Sequence, residues 1–196
     1  MTGDKVSEVL RWGVDAEGAF NLERSLVFPT LRKLPNDTHG SLVWRTSADV
    51  VPTISVEDMT LTREKVAEVR FDGILTVKSL WNAGWTYSGA DRKAGYEPEI
   101  EMTRVFFPSS DKLLTCERYT LKNVGGRTFT LNIPEYECGY TTDPKRGADG
   151  KSYIIKGEIA GNGNYILAPG AEVSFEMYFT GSVAGENAIA ADSGKE

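Results

Sequence analysis

Val66-Ala67-Glu68-Val69-Arg70-Phe71-Asp72-Gly73-Ile74-Leu75-Thr76-Val77-Lys78 is the stretch that decides the class of fold. Two runs of strand-forming residues flank an Asp-Gly pair, the chemistry of a type I′ hairpin turn, in which both central residues take positive φ. The same signals recur outward from it. Upstream, Phe20, Leu22, Leu26 and Phe28 alternate with Asn21, Glu23 and Ser25, the period of two that a half-buried strand requires. Val6–Val14 reads as a strand closed by the turn Asp15-Ala16-Glu17-Gly18, and Leu42–Arg45 and Thr53–Glu57 as short strands divided by Pro52. Downstream, a second hairpin is expected from Leu113 through Asn123-Val124-Gly125-Gly126 and back along Phe129–Ile133. That register sets Phe129 opposite Leu121 and Leu131 opposite Tyr119. Tyr153-Ile154-Ile155, Tyr165-Ile166-Leu167 and a strand carrying Val173, Phe175, Tyr178 and Phe179 complete the set, the last two joined by the turn Ala168-Pro169-Gly170-Ala171. The best helical candidate, Asp58–Val69, has no sustained apolar face. The fold class expected is all-β, an antiparallel sandwich with little or no helix.

Composition bounds the rest. A chain of 196 residues, 40% hydrophobic and 26% charged, fits one globular domain; residues 1–184 form it, and 185–196, small and polar, read as a tail or the start of a linker. A net charge of −6 argues against nucleic acid, whose binding needs a basic surface. No run of about 18 apolar residues is present to span a membrane, and the first residues lack the apolar stretch of a signal peptide. Residues 29–40, 81–98 and 139–151 show no pattern and read as candidate functional loops.

Signals for chemistry are few. The single histidine, His39, rules out two-histidine mechanisms and most zinc sites, and no Gly-x-Ser-x-Gly elbow accompanies it. Glu117 falls on the inward face of its strand, opposite Ile133 in the expected register, so it needs a cation or backbone donors; Arg118 points the other way. Gly161-Asn162-Gly163-Asn164 lacks the lysine and helix of a phosphate loop and reads as a hairpin turn. Asp143–Gly150 matches no calcium loop. Asn36-Asp37-Thr38 formally fits a glycosylation acceptor. Cys116 and Cys138 are either one bridge or two thiols. No catalytic residue, metal ligand or cofactor is assigned. The aromatic cluster Trp81, Trp85, Tyr87 and Tyr96, set among Gly, Asn and Ser, is the candidate site. Its rings would stack on sugar C–H faces beside amide and acidic partners, or else pack in the core or dock on another domain.

Arg24-Ser25-Leu26-Val27-Phe28-Pro29-Thr30-Leu31-Arg32 leads into Pro35-Asn36-Asp37-Thr38-His39, and Thr103-Arg104-Val105-Phe106-Phe107-Pro108-Ser109-Ser110-Asp111 into Glu117–Asn123. With the closing Leu167–Glu172 turn, these segments resemble the N-terminal β-sandwich (supersandwich-like) domains of bacterial glycoside hydrolases, in which a six-hairpin (α/α) barrel follows. The resemblance implies a non-catalytic accessory domain, a C-terminal helical catalytic domain of the same polypeptide as its partner, and a periplasmic or extracellular location. An independent carbohydrate-binding module using the Trp81–Tyr96 loop, with an oligo- or polysaccharide as ligand, is the alternative. A self-contained enzyme is the third reading.

Overall fold

The computed structural model describes residues 1–36, 38–82 and 98–185. Its strands are β1 (Ser7–Val14), β2 (Phe20–Leu34), β3 (Thr38–Thr46), β4 (Ser55–Val56), β5 (Met59–Thr60), β6 (Thr62–Phe71), β7 (Leu75–Asn82), β8 (Ile100–Pro108), β9 (Leu114–Asn123), β10 (Phe129–Ile133), β11 (Glu137–Thr141), β12 (Tyr153–Ala160), β13 (Gly163–Leu167) and β14 (Glu172–Val183). Two single 3-10 turns, Val51–Thr53 and Pro144–Arg146, are the helical content of the described residues, and among those residues no helix is long and apolar enough to cross a membrane.

The strands form a seven-stranded antiparallel sheet in the order β11-β12-β14-β9-β8-β7-β6, a three-stranded sheet β1-β2-β3 and a four-stranded sheet β13-β10-β4-β5. Period-two alternation turns one face of each inward. Leu75, Val77, Ser79 and Trp81 are buried on β7, Ile100, Met102, Arg104 and Phe106 on β8, and Phe175, Met177 and Phe179 on β14. Leu26 and Phe28 of β2 and Phe129, Leu131 and Ile133 of β10 share one core with that face. The large sheet is thus one layer and the two small sheets pack on it as the other: an all-β sandwich, as the alternation implied. The outer face of the large sheet is polar, with Arg118 paired to Glu176 at 2.7 Å.

Four expectations are corrected. The β6–β7 hairpin forms, but its last pair is Phe71 with Leu75, so the loop is Asp72-Gly73-Ile74 with only Gly73 at positive φ (+103°). This three-residue loop sends Leu75 and Val77 inward and leaves Phe71 and Ile74 in water. The second hairpin does not exist. β9 pairs with β8 and β14, whereas β10 pairs with β13 and β4. Strands with two apolar inner faces meet across the core instead of side by side, and period two reads the same for both arrangements. Gly161-Asn162 likewise connects strands of different sheets, β12 and β13, so it is a crossing turn and not a hairpin. Finally, much of 29–40 is ordered strand. β2 and β3 continue past a bulge between Phe28 and Arg32, where Thr30 takes φ +62°; such an irregularity erases the alternation.

Cys116 and Cys138 are separate thiols. Three strand spacings divide β9 from β11, about 14 Å at the usual spacing, twice what a disulfide spans. The segment 83–97 and the tail 186–196 lie outside the described residues.

Candidate functional site

At one end of the sandwich, β1 and β2 stand over β8 and β9 around a cavity of about 500 Å³, within the size range of small-ligand sites. β1 contributes Arg11 and Trp12, β2 contributes Phe20, Asn21, Glu23 and Arg24, β8 contributes Arg104 and Phe106, and β9 contributes Tyr119; Asp49 joins from the segment after β3.

An aromatic wall runs inward from the mouth. Trp12 is 48% exposed, and its ring lies 6.2 Å from that of Phe20, inclined by 28°. Phe20 sits 6.4 Å from Phe106, with the Arg104 guanidinium 4.6 Å above its ring. Trp12 is therefore backed by a buried ring that itself carries a cation, while about half of its own surface stays open to water. The rim is polar. Glu23 accepts from Arg11 at 3.0 Å and pairs with Arg45 at 2.7 Å, and the Arg45 hydrogen bond leads the effects that lower its pKa.

The floor is made of buried charges. The Arg24 guanidinium forks onto both carboxylate oxygens of Glu117, reaching Oε2 at 2.8 Å, and donates to the Ala48 carbonyl at 2.6 Å. The Tyr119 hydroxyl donates to Glu117 at 2.7 Å, and burial, with the Glu117 charge behind it, pushes that phenol well above its usual range. Arg104 pairs with Glu64 and donates to Ser79 Oγ at 3.2 Å; Glu64 in turn accepts from the Phe20 backbone N–H at 3.1 Å. The two buried arginines, Arg24 and Arg104, thus each have their own glutamate, whereas Arg11 shares Glu23 with Arg45. The charges of the cavity floor are thus matched in pairs, and the exposed ring at its mouth is Trp12. Burial pushes the Cys116 thiol up to about 12, too high for a nucleophile near neutral pH. His39 is exposed, opposite Lys33 on the β2–β3 ladder.

Of the four aromatic residues expected at the site, Trp81 is described. It is 9% exposed in the shared core, where β7 sends it inward, and its indole N–H donates to Ser79 Oγ at 3.0 Å. Its remaining edge borders a second cavity of about 450 Å³ with Leu61 and Lys65. Trp85, Tyr87 and Tyr96 lie outside the described residues. Glu117 is buried as expected and satisfied by a cation, although its neighbours in the sheet are Phe106 and Met177 and not Ile133.

Reading the sequence missed Trp12, Arg24 and Arg104. The signal for the arginines is present: Arg24 interrupts the inward row Phe20, Leu22, Leu26, Phe28, and Arg104 stands between Met102 and Phe106. A charge on the apolar face of a strand marks a buried polar cluster. Compared with known family models, curated proteins and solved structures, the chain matches none of them.

Proposed function

We propose that this chain is a non-catalytic β-sandwich module of a carbohydrate-active protein and that it binds an uncharged saccharide in the Trp12 cavity. The observation that carries the reading is the Trp12 ring, half in water, backed by Phe20 at the mouth of a cavity with a polar rim. A pyranose offers C–H faces that lie on such a ring and hydroxyls that both donate and accept. Asn21, Glu23, Arg11 and Asp49 supply both functions around it. The two matched arginine–glutamate pairs of the floor favour a neutral sugar over a charged one, which would meet no uncompensated partner there. The resemblance adds that such a module accompanies a helical catalytic domain, which would bring the polymer to be cut.

The test is affinity for a panel of neutral and acidic oligosaccharides, measured by calorimetry on the wild type and on Trp12→Ala. A stacked ring contributes about 1.5 kcal/mol, so the variant should bind its best neutral ligand at least tenfold more weakly, with Trp12→Phe in between. Equal affinity of wild type and Trp12→Ala would remove the site.

A further inference from the structure

Glu8, on β1, shares the inward side with Trp12, four residues away along a strand whose side chains alternate. Its side chain has no exposure to water, and among the described residues both its carboxylate oxygens lack a hydrogen-bond partner. The groups facing it are Arg24 of β2, Glu117 of β9, which also holds the Tyr119 phenol, and the N-terminal ammonium, with the Cys116 thiol of β9 also within electrostatic reach. Arg24 already gives its fork to Glu117. The cluster therefore holds two carboxylates and two cations, but the guanidinium is committed to the other carboxylate and the N-terminal ammonium donates to the Glu8 backbone carbonyl at 2.8 Å. A negative charge on Glu8 would be buried with no hydrogen bond to either cation.

Glu8 also sits on the most easily lifted element around the cavity. β1 is an edge strand, paired along its length with β2 and, among the described residues, bridged on its other side only at its start, where Met1 and Thr2 meet Glu8 and Ser7, and it supplies Arg11 and Trp12 to the cavity.

We propose that Glu8 is a proton-operated latch: protonated, it lets β1 lie on the core with Trp12 in place, and ionised, it drives β1 off the core and dismantles the cavity wall. Burial first, and then the nearby Glu117 charge, raise the carboxyl's pKa to about 8. The sign follows from linkage. The closed form keeps the proton until about pH 8, whereas an open, solvated carboxyl loses it near pH 4.5, its ordinary value. Opening thus becomes easier by up to about tenfold per pH unit between these limits and then levels off. Mildly acidic solution closes the site and alkaline solution opens it. The consequence for binding rests on the saccharide reading, whereas the motion of β1 does not.

Hydrogen exchange of the β1 amides on the full chain, corrected for intrinsic rates, tests the latch without any ligand. Protection of β1 in the wild type should fall by roughly two to three orders of magnitude from about pH 5 to about pH 8, and in Glu8→Gln, a permanent mimic of the protonated acid, it should stay flat. Identical profiles for the two proteins would overturn the latch. Carbon-13 shifts of labelled glutamate carboxyls give a second reading that needs no variant, and a Glu8 carboxyl titrating in the ordinary carboxylate range would equally overturn it. Calorimetry over the same pH range separates the two ideas. If β1 opens with pH and no saccharide binds at any pH, the latch stands and the saccharide reading falls.

Discussion

Arg24 occupies a place on β2 where alternation asks for an apolar side chain, and its guanidinium is met there by Glu117 from the opposite sheet. Such a pair adds little net stability, because two charges left water to make it, but removing one partner strands the other. Arg24→Met should therefore lower the unfolding free energy by about 3–5 kcal/mol, whereas Arg24→Met with Glu117→Leu should recover most of that loss. Urea denaturation measures both, and a single variant as stable as the double one would contradict the pairing. At this scale the sequence was half legible. Glu117 could be picked out as a buried acid from the apolar residues on its strand face, but its partner lies 93 positions away on a strand that periodicity alone does not bring near. The same holds for Trp12: nothing in Arg11-Trp12-Gly13 says that Phe20 will lie behind the ring, since that contact depends on how the β1–β2 hairpin settles on β8.

Strands were easier to read than the connections between them. The alternation on β2, β7 and β14 is local, and local pattern predicted it. Whether Phe129–Ile133 returns beside β9 or crosses to the other layer is decided at the corner after Asn123. That side chain is buried; its amide donates to the carbonyls of Arg127 and Leu167 at 2.8 and 3.0 Å, and its oxygen accepts from the Gly125 N–H at 3.0 Å. One residue thus ties the end of β9 to the start of β10 and the end of β13 and fixes the crossing. Asn123→Ala removes all three bonds and leaves the buried Leu167 carbonyl and the half-buried Arg127 carbonyl short of a donor, at a cost of about 2–4 kcal/mol. Asn123→Asp, which keeps only the acceptor, should fall by a comparable amount. A midpoint of denaturation unchanged in Asn123→Ala would show that the crossing is held by the strands and not by this corner. The loop at Asp72-Gly73-Ile74 teaches the same lesson on a smaller scale: its length follows from which residues must face inward, and the Asp-Gly pair alone implied a tighter turn.

In the whole molecule, a seven-stranded layer covered by two smaller sheets leaves an opening at the end where β1 and β2 stand above β8 and β9, and the half-exposed Trp12 ring lies there. Trp81, which the sequence pointed to, is turned into the core by the alternation of β7, and its partners in that reading lie outside the described residues. Four tryptophans make the two locations separable in one experiment, because each indole N–H gives its own proton–nitrogen NMR signal, assignable by single Trp→Phe variants. Titration of the labelled chain at mildly acidic pH with the neutral oligosaccharide that binds best should shift the Trp12 signal progressively to saturation, with Trp44 and Trp81 nearly still. Saturable movement confined to the Trp85 signal, or no movement at Trp12 with any member of the panel, would contradict the Trp12 cavity as the saccharide site.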